Sequence, residues 1–351
     1  MTAFLQLHLL TFYPPANLNR DDTGRPKTAT VGGVPRLRIS SQALKRAWRT
    51  SPVFAERLRE YRGQRTQRFG EDIERHLKEQ GLAPERALQI ARDIAQHFGK
   101  LKPERDPAPA RTEQLAFISR EERTAALAMA DRIAAGEALE PSAEQLLRRT
   151  DSAADIAMFG RMLADNPAYN REAAAQVAHA ITTHRVTVED DYYTAIDDLK
   201  TPEEDAGAGF VGELGFGSGV FYLYACVDTG LLLRNLGGER GLAADACAAL
   251  AEAAATVSPK GKQPSFAARA RAYYVRAELG NGQPCTLAGA FIRPVEGIDL
   301  ATASVQRLEE WRGKLDRAYG PMTTASVTMD VGAERGTLAE VVEFCRDAGH
   351  A

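Results

Sequence analysis

Within RLRISSQALKRAWR, residues 36 to 49, the hydrophobic period changes across a single pair of serines, and that change dictates the local fold. Leu37 and Ile39 alternate with Arg36 and Arg38, as on a half-buried strand end, while Leu44, Ala47 and Trp48 recur at helical spacing. Ser40 and Ser41 are both good helix N-caps, so the spacing predicts a strand that hands over directly to a helix. One face of this helix is apolar. Another carries Gln42, Lys45, Arg46 and Arg49 at i, i+3, i+4 and i+7, a row of hydrogen-bond donors. Like charges at Lys45 and Arg49 cost a bare helix about 0.2–0.5 kcal/mol, so the row is favourable only against an anion. The N–H groups of the first turn add positive potential at the same end. The pattern describes a phosphate-binding surface with no acid or nucleophile beside it.

The loop ahead of this unit extends the charge. Between Asn17 and Arg49 eight bases, Arg20, Arg25 and Lys27 among them, face two acids, Asp21 and Asp22: +6 in a chain of net charge −3, so the remainder carries −9. A sequence pI near 6.1 argues against a nonspecific nucleic-acid coat and makes any nucleic-acid site local. The 351 residues, 44% hydrophobic, suffice for one large domain with insertions or two ordinary ones. Cys226, Cys247, Cys285 and Cys345 are widely spaced and match no zinc pattern, which reads as buried reduced thiols. Leu5, Leu7 and Leu9 alternate with Gln6 and His8 as a strand, not a signal peptide. No apolar run approaches the roughly 18 residues of a membrane span, so a cytoplasmic protein is expected, with no membrane partner.

In chain order, a strand over about 3–12 is expected to stop at Pro14 and Pro15, followed by the basic loop, a turn at Gly32 and Gly33, and the strand–helix unit. Residues 53–150 read as a charged helical insertion. It includes an amphipathic helix marked by Ala87, Ile90, Ala91, Ile94, Ala95 and Phe98, and capping boxes at Ser119/Glu122 and Ser142/Gln145. Strand character is read at 155–162 and 176–188. The glycines at 207, 209, 212, 215, 217 and 219 lack the order and flanks of a nucleotide loop, and read as an excursion between antiparallel strands, the second over 220–227. An alanine-rich helix over 242–255, a basic turn with Lys260 and Lys262, a strand over 272–279, a helix over 300–318, a strand over 325–329 and a helix capped by Thr337 and Glu340 complete the chain. Without insertions this is strand, helix, strand, strand, helix, strand: an α+β fold with a ferredoxin-like, RNA-recognition-motif-like palm.

Other candidate sites are weaker. Asp21 and Asp22 are the carboxylates for a metal-dependent ribonuclease, although neighbouring bases already offer them partners and a role in orienting Arg20 is preferred. Asp197 and Asp198 read as solvent-facing or neighbour-contacting. His179 and His184, five apart on an expected strand, fall on opposite faces and do not suit one metal. No serine has a nucleophile elbow.

The LNRDD run, the Lys27 after it and RLRISSQALKRAWR closely resemble the N-terminal signature of the CasC family, the backbone subunit of the type I-E CRISPR complex Cascade. DIAMFGRM, AHAITTHRV, YYTAIDDL and FGSGVFYLY follow in the family's order, while residues 51–150 carry no family signature. The resemblance implies a palm in three parts (1–52, 151–188 and 219–351), a helical fingers insertion (53–150) and a long thumb loop (189–218) that folds over guide RNA. It implies that Lys27, Ser40, Gln42, Lys45, Arg46 and Arg49 clamp phosphate or ribose, supported by Arg20, with Lys260 and Lys262 as further RNA contacts. Met162 occupies a position whose apolar side chain wedges against displaced bases; on the residues alone it reads as a core methionine at a strand end. Tyr193 and Thr194 fall at the thumb base, where Tyr192 and Tyr193 stand at positions that carry Trp and Phe in relatives. The implied partners are crRNA, target DNA through the guide, further copies of the chain, and the large, small, 5′-handle-binding and 3′-hairpin-binding subunits of Cascade. No cofactor, metal or catalytic residue is expected.

Overall fold

The computed structural model describes residues 3–195 and 210–350. Strand β1 (Phe4–Ala16) runs through Pro14 and Pro15, which were expected to end it; the chain accommodates them with a register shift between Tyr13 and Ala16. The expected loop that follows contains a hairpin. Strand β2 (Thr28–Val31) turns through Gly32 and Gly33, at φ 61° and 79°, into β3 (Val34–Ile39). Helix α1 (Ser41–Arg49) starts where the serines place it: Ser40 is the N-cap and accepts from the Ala43 N–H, and Leu44, Ala47 and Trp48 are buried. Helix α2 (Pro52–Leu58) follows.

The next stretch is helical, as the periodicity predicts, with two short strands it does not. Strand β4 (Gln64–Thr66), helices α3 (Phe69–Glu79) and α4 (Pro84–Ala95), strand β5 (Ala116–Ile118) and helix α5 (Arg120–Ala134) surround a core of their own, among it Phe69, Ile73, Ile90, Ile94, Phe98 and Met129. The Ser119/Glu122 capping box is present in full. Ser142 opens only the four-residue helix α6 (Ala143–Leu146), and its hydroxyl meets the Gln145 side chain, so the second capping box does not form.

Strand was expected over 155–162, but the chain forms helix α7 (Ala154–Phe159), ended by Gly160 at φ 80°. Ile156, Ala157 and Met158 are all buried, and a short continuous apolar run has no periodicity that separates strand from helix. Two short strands, β6 (Ala175–Val177) and β7 (Ala180–Thr182), replace the single one expected over 176–188. Strand β8 (Glu189–Ala195) then pairs with the start of β9 (Phe210–Asp228), so the described part of the expected thumb loop is a two-stranded ribbon continuous with the main sheet. Residues 196–209 of that excursion, including Asp197 and Asp198, lie outside the described residues. Helices α8 (Thr229–Asn235), α9 (Arg240–Thr256) and α10 (Gln263–Phe266), strand β10 (Tyr274–Gly280), helix α11 (Leu300–Tyr319), strand β11 (Ala325–Asp330) and helix α12 (Leu338–His350) follow, the last with its Thr337/Glu340 capping box.

The class is α+β. The main antiparallel sheet runs β11-β10-β1-β9-β7-β3-β2, with β6 and β8 also paired to β9. Alternation along β1 sends Leu5, Leu7 and Leu9 to one face, where α1, α2, α7, α9 and α12 pack, and Leu10 to the other, under α11. Helix α9 is alanine-rich and buried on most sides, which lets α2 and α12 approach it closely. Among the described residues no helix is long and apolar enough to cross a membrane.

Candidate nucleic-acid interface

Helix α1 forms one side of a cleft of about 1480 Å³; β4, β5 and the start of α5 form the other, and the turn after α7 closes one end. Nine bases and two acids line it. Gln42, Lys45, Arg46 and Arg49 all face it, as their spacing predicts, and so does Met162. Met162 is 79% exposed, because Gly160 redirects the chain and Arg161 takes the inward position. It is therefore no core methionine; an apolar side chain stands in a basic cleft.

Arg49 is the most constrained member of the row. Its guanidinium lies over the Phe117 ring at 4.9 Å and 3.8 Å from the Asp155 carboxylate. Asp155 is 1% exposed and accepts from the Gly63 N–H at 2.6 Å; burial pushes its pKa up to about 6 against the pull of that hydrogen bond and Arg49. Burial also lowers the pKa of Lys45 and of Arg49. Arg161 is buried against an equally buried Glu122, with Nη1 at 2.8 and 2.7 Å from the two carboxylate oxygens, so this cation braces the cleft and is not presented to it.

The remaining expected site residues lie elsewhere. Ser40 is buried, its hydroxyl caps α1 and its N–H donates to Asn19 Oδ1, so it shapes the site without lining the cleft. Arg20 is exposed and pairs by its backbone with Pro26; Lys27 is half-buried and receives the Arg38 N–H on its carbonyl. Asp21 was expected to orient Arg20. Its Oδ1 instead accepts from the N–H and hydroxyl of Thr23 and the N–H of Arg25, which holds its pKa below the usual carboxylate range. Arg25 pairs with Asp190 at 2.8 Å and Glu213 at 3.5 Å, tying the basic loop to the β8–β9 ribbon.

On that ribbon Tyr193 stands opposite Gly212, where any Cβ would sit 2.4 Å from its ring; Tyr192 is 71% exposed, and Thr194 faces Val211. At residue 219 a Cβ would come within 2.8 Å of the His184 ring. Close approach thus accounts for glycine at both positions. Lys260 and Lys262 flank Gly261, which packs on the Asn17–Leu18 backbone, so their turn meets the basic loop outside the α1 cleft. His179 contacts Arg38 and His184 contacts Val220 N, and among the described residues no cluster of His, Cys, Asp and Glu suits a metal.

The cleft also contains residues that sequence reading did not single out: Arg59, Arg62, Arg65, Arg120, Arg123 and Phe117. A signal was there, since RLREYRGQRTQR places an arginine every two or three residues from 57 to 68. It lay inside a stretch read as ordinary charged helix.

A model of the CT1975-like protein family matches residues 5–344. No curated protein matches the chain significantly. A chain of a solved "CRISPR RNA-guided surveillance complex, pre-nicking" is 29% identical, with a TM-score of 0.86 over 99% of this chain and 100% of that one. A chain of a "CRISPR RNA-guided surveillance complex" is 24% identical, with a TM-score of 0.74 over 98% and 99%, a likeness of fold.

Proposed function

This chain belongs to the CT1975-like protein family, and on that premise we propose that it is the guide-RNA-binding backbone subunit of a type I-E Cascade complex. Whole-length similarity to a chain of an RNA-guided surveillance complex supports a Cascade-type role. The observation that carries the finer reading is the cleft itself: a hydroxyl-capped helix presents Gln42, Lys45 and Arg46 beside an exposed Met162. Cations there suit phosphates, and a protruding apolar side chain suits the face of an unstacked base. The strand order β10-β1-β9-β7 supports a ferredoxin-like palm, with the β8–β9 ribbon as thumb and the second core as fingers. Copies of the chain assemble along crRNA, and target DNA is read by base pairing with the held guide.

In this reading the protein holds RNA and does not cut it. Asp21, one of the two loop carboxylates, is already occupied by its own turn, which supports a structural part for it. Purified protein with RNA and Mg²⁺ should yield no cleavage; regular cleavage lost in Asp21→Ala or Asp22→Ala would establish a ribonuclease instead.

The principal test is Lys45→Ala, Arg46→Ala and Arg49→Ala combined. RNA-dependent assembly should disappear while the monomer stays folded by circular dichroism; persistent assembly would place the contacts elsewhere. For the native protein, six neutralised phosphates per copy imply a loss of affinity on the order of 10³-fold between 50 and 200 mM salt.

A further inference from the structure

The cations that line the cleft divide by whether a carboxylate already holds them. Arg120 pairs with Glu60 at 2.6 Å, Arg123 with Asp72 at 2.9 Å, Arg161 with Glu122 and Arg49 with Asp155. Lys45, Arg46, Arg59, Arg62 and Arg65 have no acid within ion-pair distance among the described residues. Two of these five are on α1. The other three belong to the strap that leads from α2 into β4.

The strap is pinned. Ala154 N–H donates to the Tyr61 carbonyl, Gly63 N–H donates to Asp155, and Arg62 Nε donates to the Arg59 carbonyl. At Gly63 a Cβ would come within 2.8 Å of Phe117, so the backbone is wedged against the cleft wall. Arg59 holds φ 41° and ψ −112°, a conformation that side chains rarely adopt and that costs roughly 1–3 kcal/mol. Glycine would fit there without strain, yet an unpaired arginine occupies the position. The strap also adjoins the α1 row directly, because Asp155 touches Gly63 with one oxygen and faces Arg49 with the other. Arg46 and Arg65 both lie close enough to depress the pKa of Arg49.

We propose that the strap from Arg59 to Arg65 is a second phosphate-binding element, which continues the track of the α1 row along the same RNA strand. The proposal rests on the guide-RNA reading above, since it takes the ligand of α1 to be a nucleic-acid backbone. Five unpaired cations on two adjoining segments suit several successive phosphates of a flexible strand, whereas a single small anion has no use for so many.

The test uses the full chain and a single-stranded RNA oligonucleotide, with affinity measured from 50 to 200 mM salt. Combining Arg59→Gly, Arg62→Gln and Arg65→Gln should weaken binding about tenfold or more at 100 mM salt and reduce the log–log salt slope by about 2, three phosphate contacts at about 0.7 each. The Arg59→Gly change alone should raise the urea midpoint or leave it unchanged while weakening RNA binding, which separates lost contact from lost fold. Lys45→Ala with Arg46→Ala is measured in parallel. If that pair loses RNA and the strap variant binds within twofold of the native protein, the strap proposal is overturned and the guide-RNA reading stands. If neither variant loses RNA, both are overturned. Loss in both variants supports the proposal; a loss in the strap variant alone overturns it as stated, since a strap that binds without α1 continues no track of that row.

Discussion

At the scale of single residues, exposure separates the side chains that build the cleft from those that can act in it. Met162 is exposed where its neighbour Arg161 is buried, although the two are adjacent in sequence. Met162→Ala should therefore leave stability within about 0.5 kcal/mol, since it removes no core contact. In chemical probing of bound RNA, the same change should erase the distinct reactivity of regularly spaced bases; an unchanged pattern would remove Met162 from the contact. The sequence placed Arg161 and Met162 at the end of an expected strand and could not say which pointed inward. Gly160 at φ 80° and the Glu122 carboxylate decide that.

At the scale of elements, Asp155 joins three pieces: it lies in the first turn of α7, fixes the strap through Gly63 and faces the last turn of α1 through Arg49. Its pKa is raised to about 6 by burial, so the folded protein binds a proton there more tightly than the unfolded chain does. The sign follows. The contribution of Asp155 is most favourable below the unfolded pKa near 4 and is lost as pH rises through 6. Asp155→Asn keeps an acceptor for Gly63 without the charge. In urea denaturation the stability of the native protein relative to this variant should fall by about 1–2 kcal/mol between pH 5 and pH 8; a constant difference would show that Asp155 does not carry this titration. Elements with strong periodicity, such as α1 and α4, were legible in the sequence, and α9 was legible through its alanine-rich composition. Helix α7 was not, because its apolar run is buried all round, and β4 and β5 were not, because three residues carry no period.

At the scale of the molecule, two cores meet beside the cleft, and the geometry of the cleft depends on how they are joined. Glu122 does part of this: from the first turn of α5 it accepts from the N–H groups of Ser119 and Arg148 and holds Arg161 at the end of the α7 segment. Glu122→Ala would strand a buried guanidinium and should cost about 3–5 kcal/mol, read as a lowered urea midpoint. Double replacement with Arg161→Met should recover much of that loss; a double variant no better than the single one would locate the cost in the lost cap and not in the stranded charge.

The sequence by itself determined the strand-to-helix switch at Ser40, the donor row on α1 and the α+β class, because each depends on spacing within a dozen residues and on the local energetics of caps and faces. Tertiary structure decided which cations remain available. An arginine becomes a brace or a binding group according to whether a carboxylate from another element reaches it, and Glu60, Asp72, Glu122 and Asp155 reach their partners only once the chain has folded. The basic surface first read on one helix is therefore shared with the strap after α2, whose arginines are left unpaired by the same packing that pairs their neighbours.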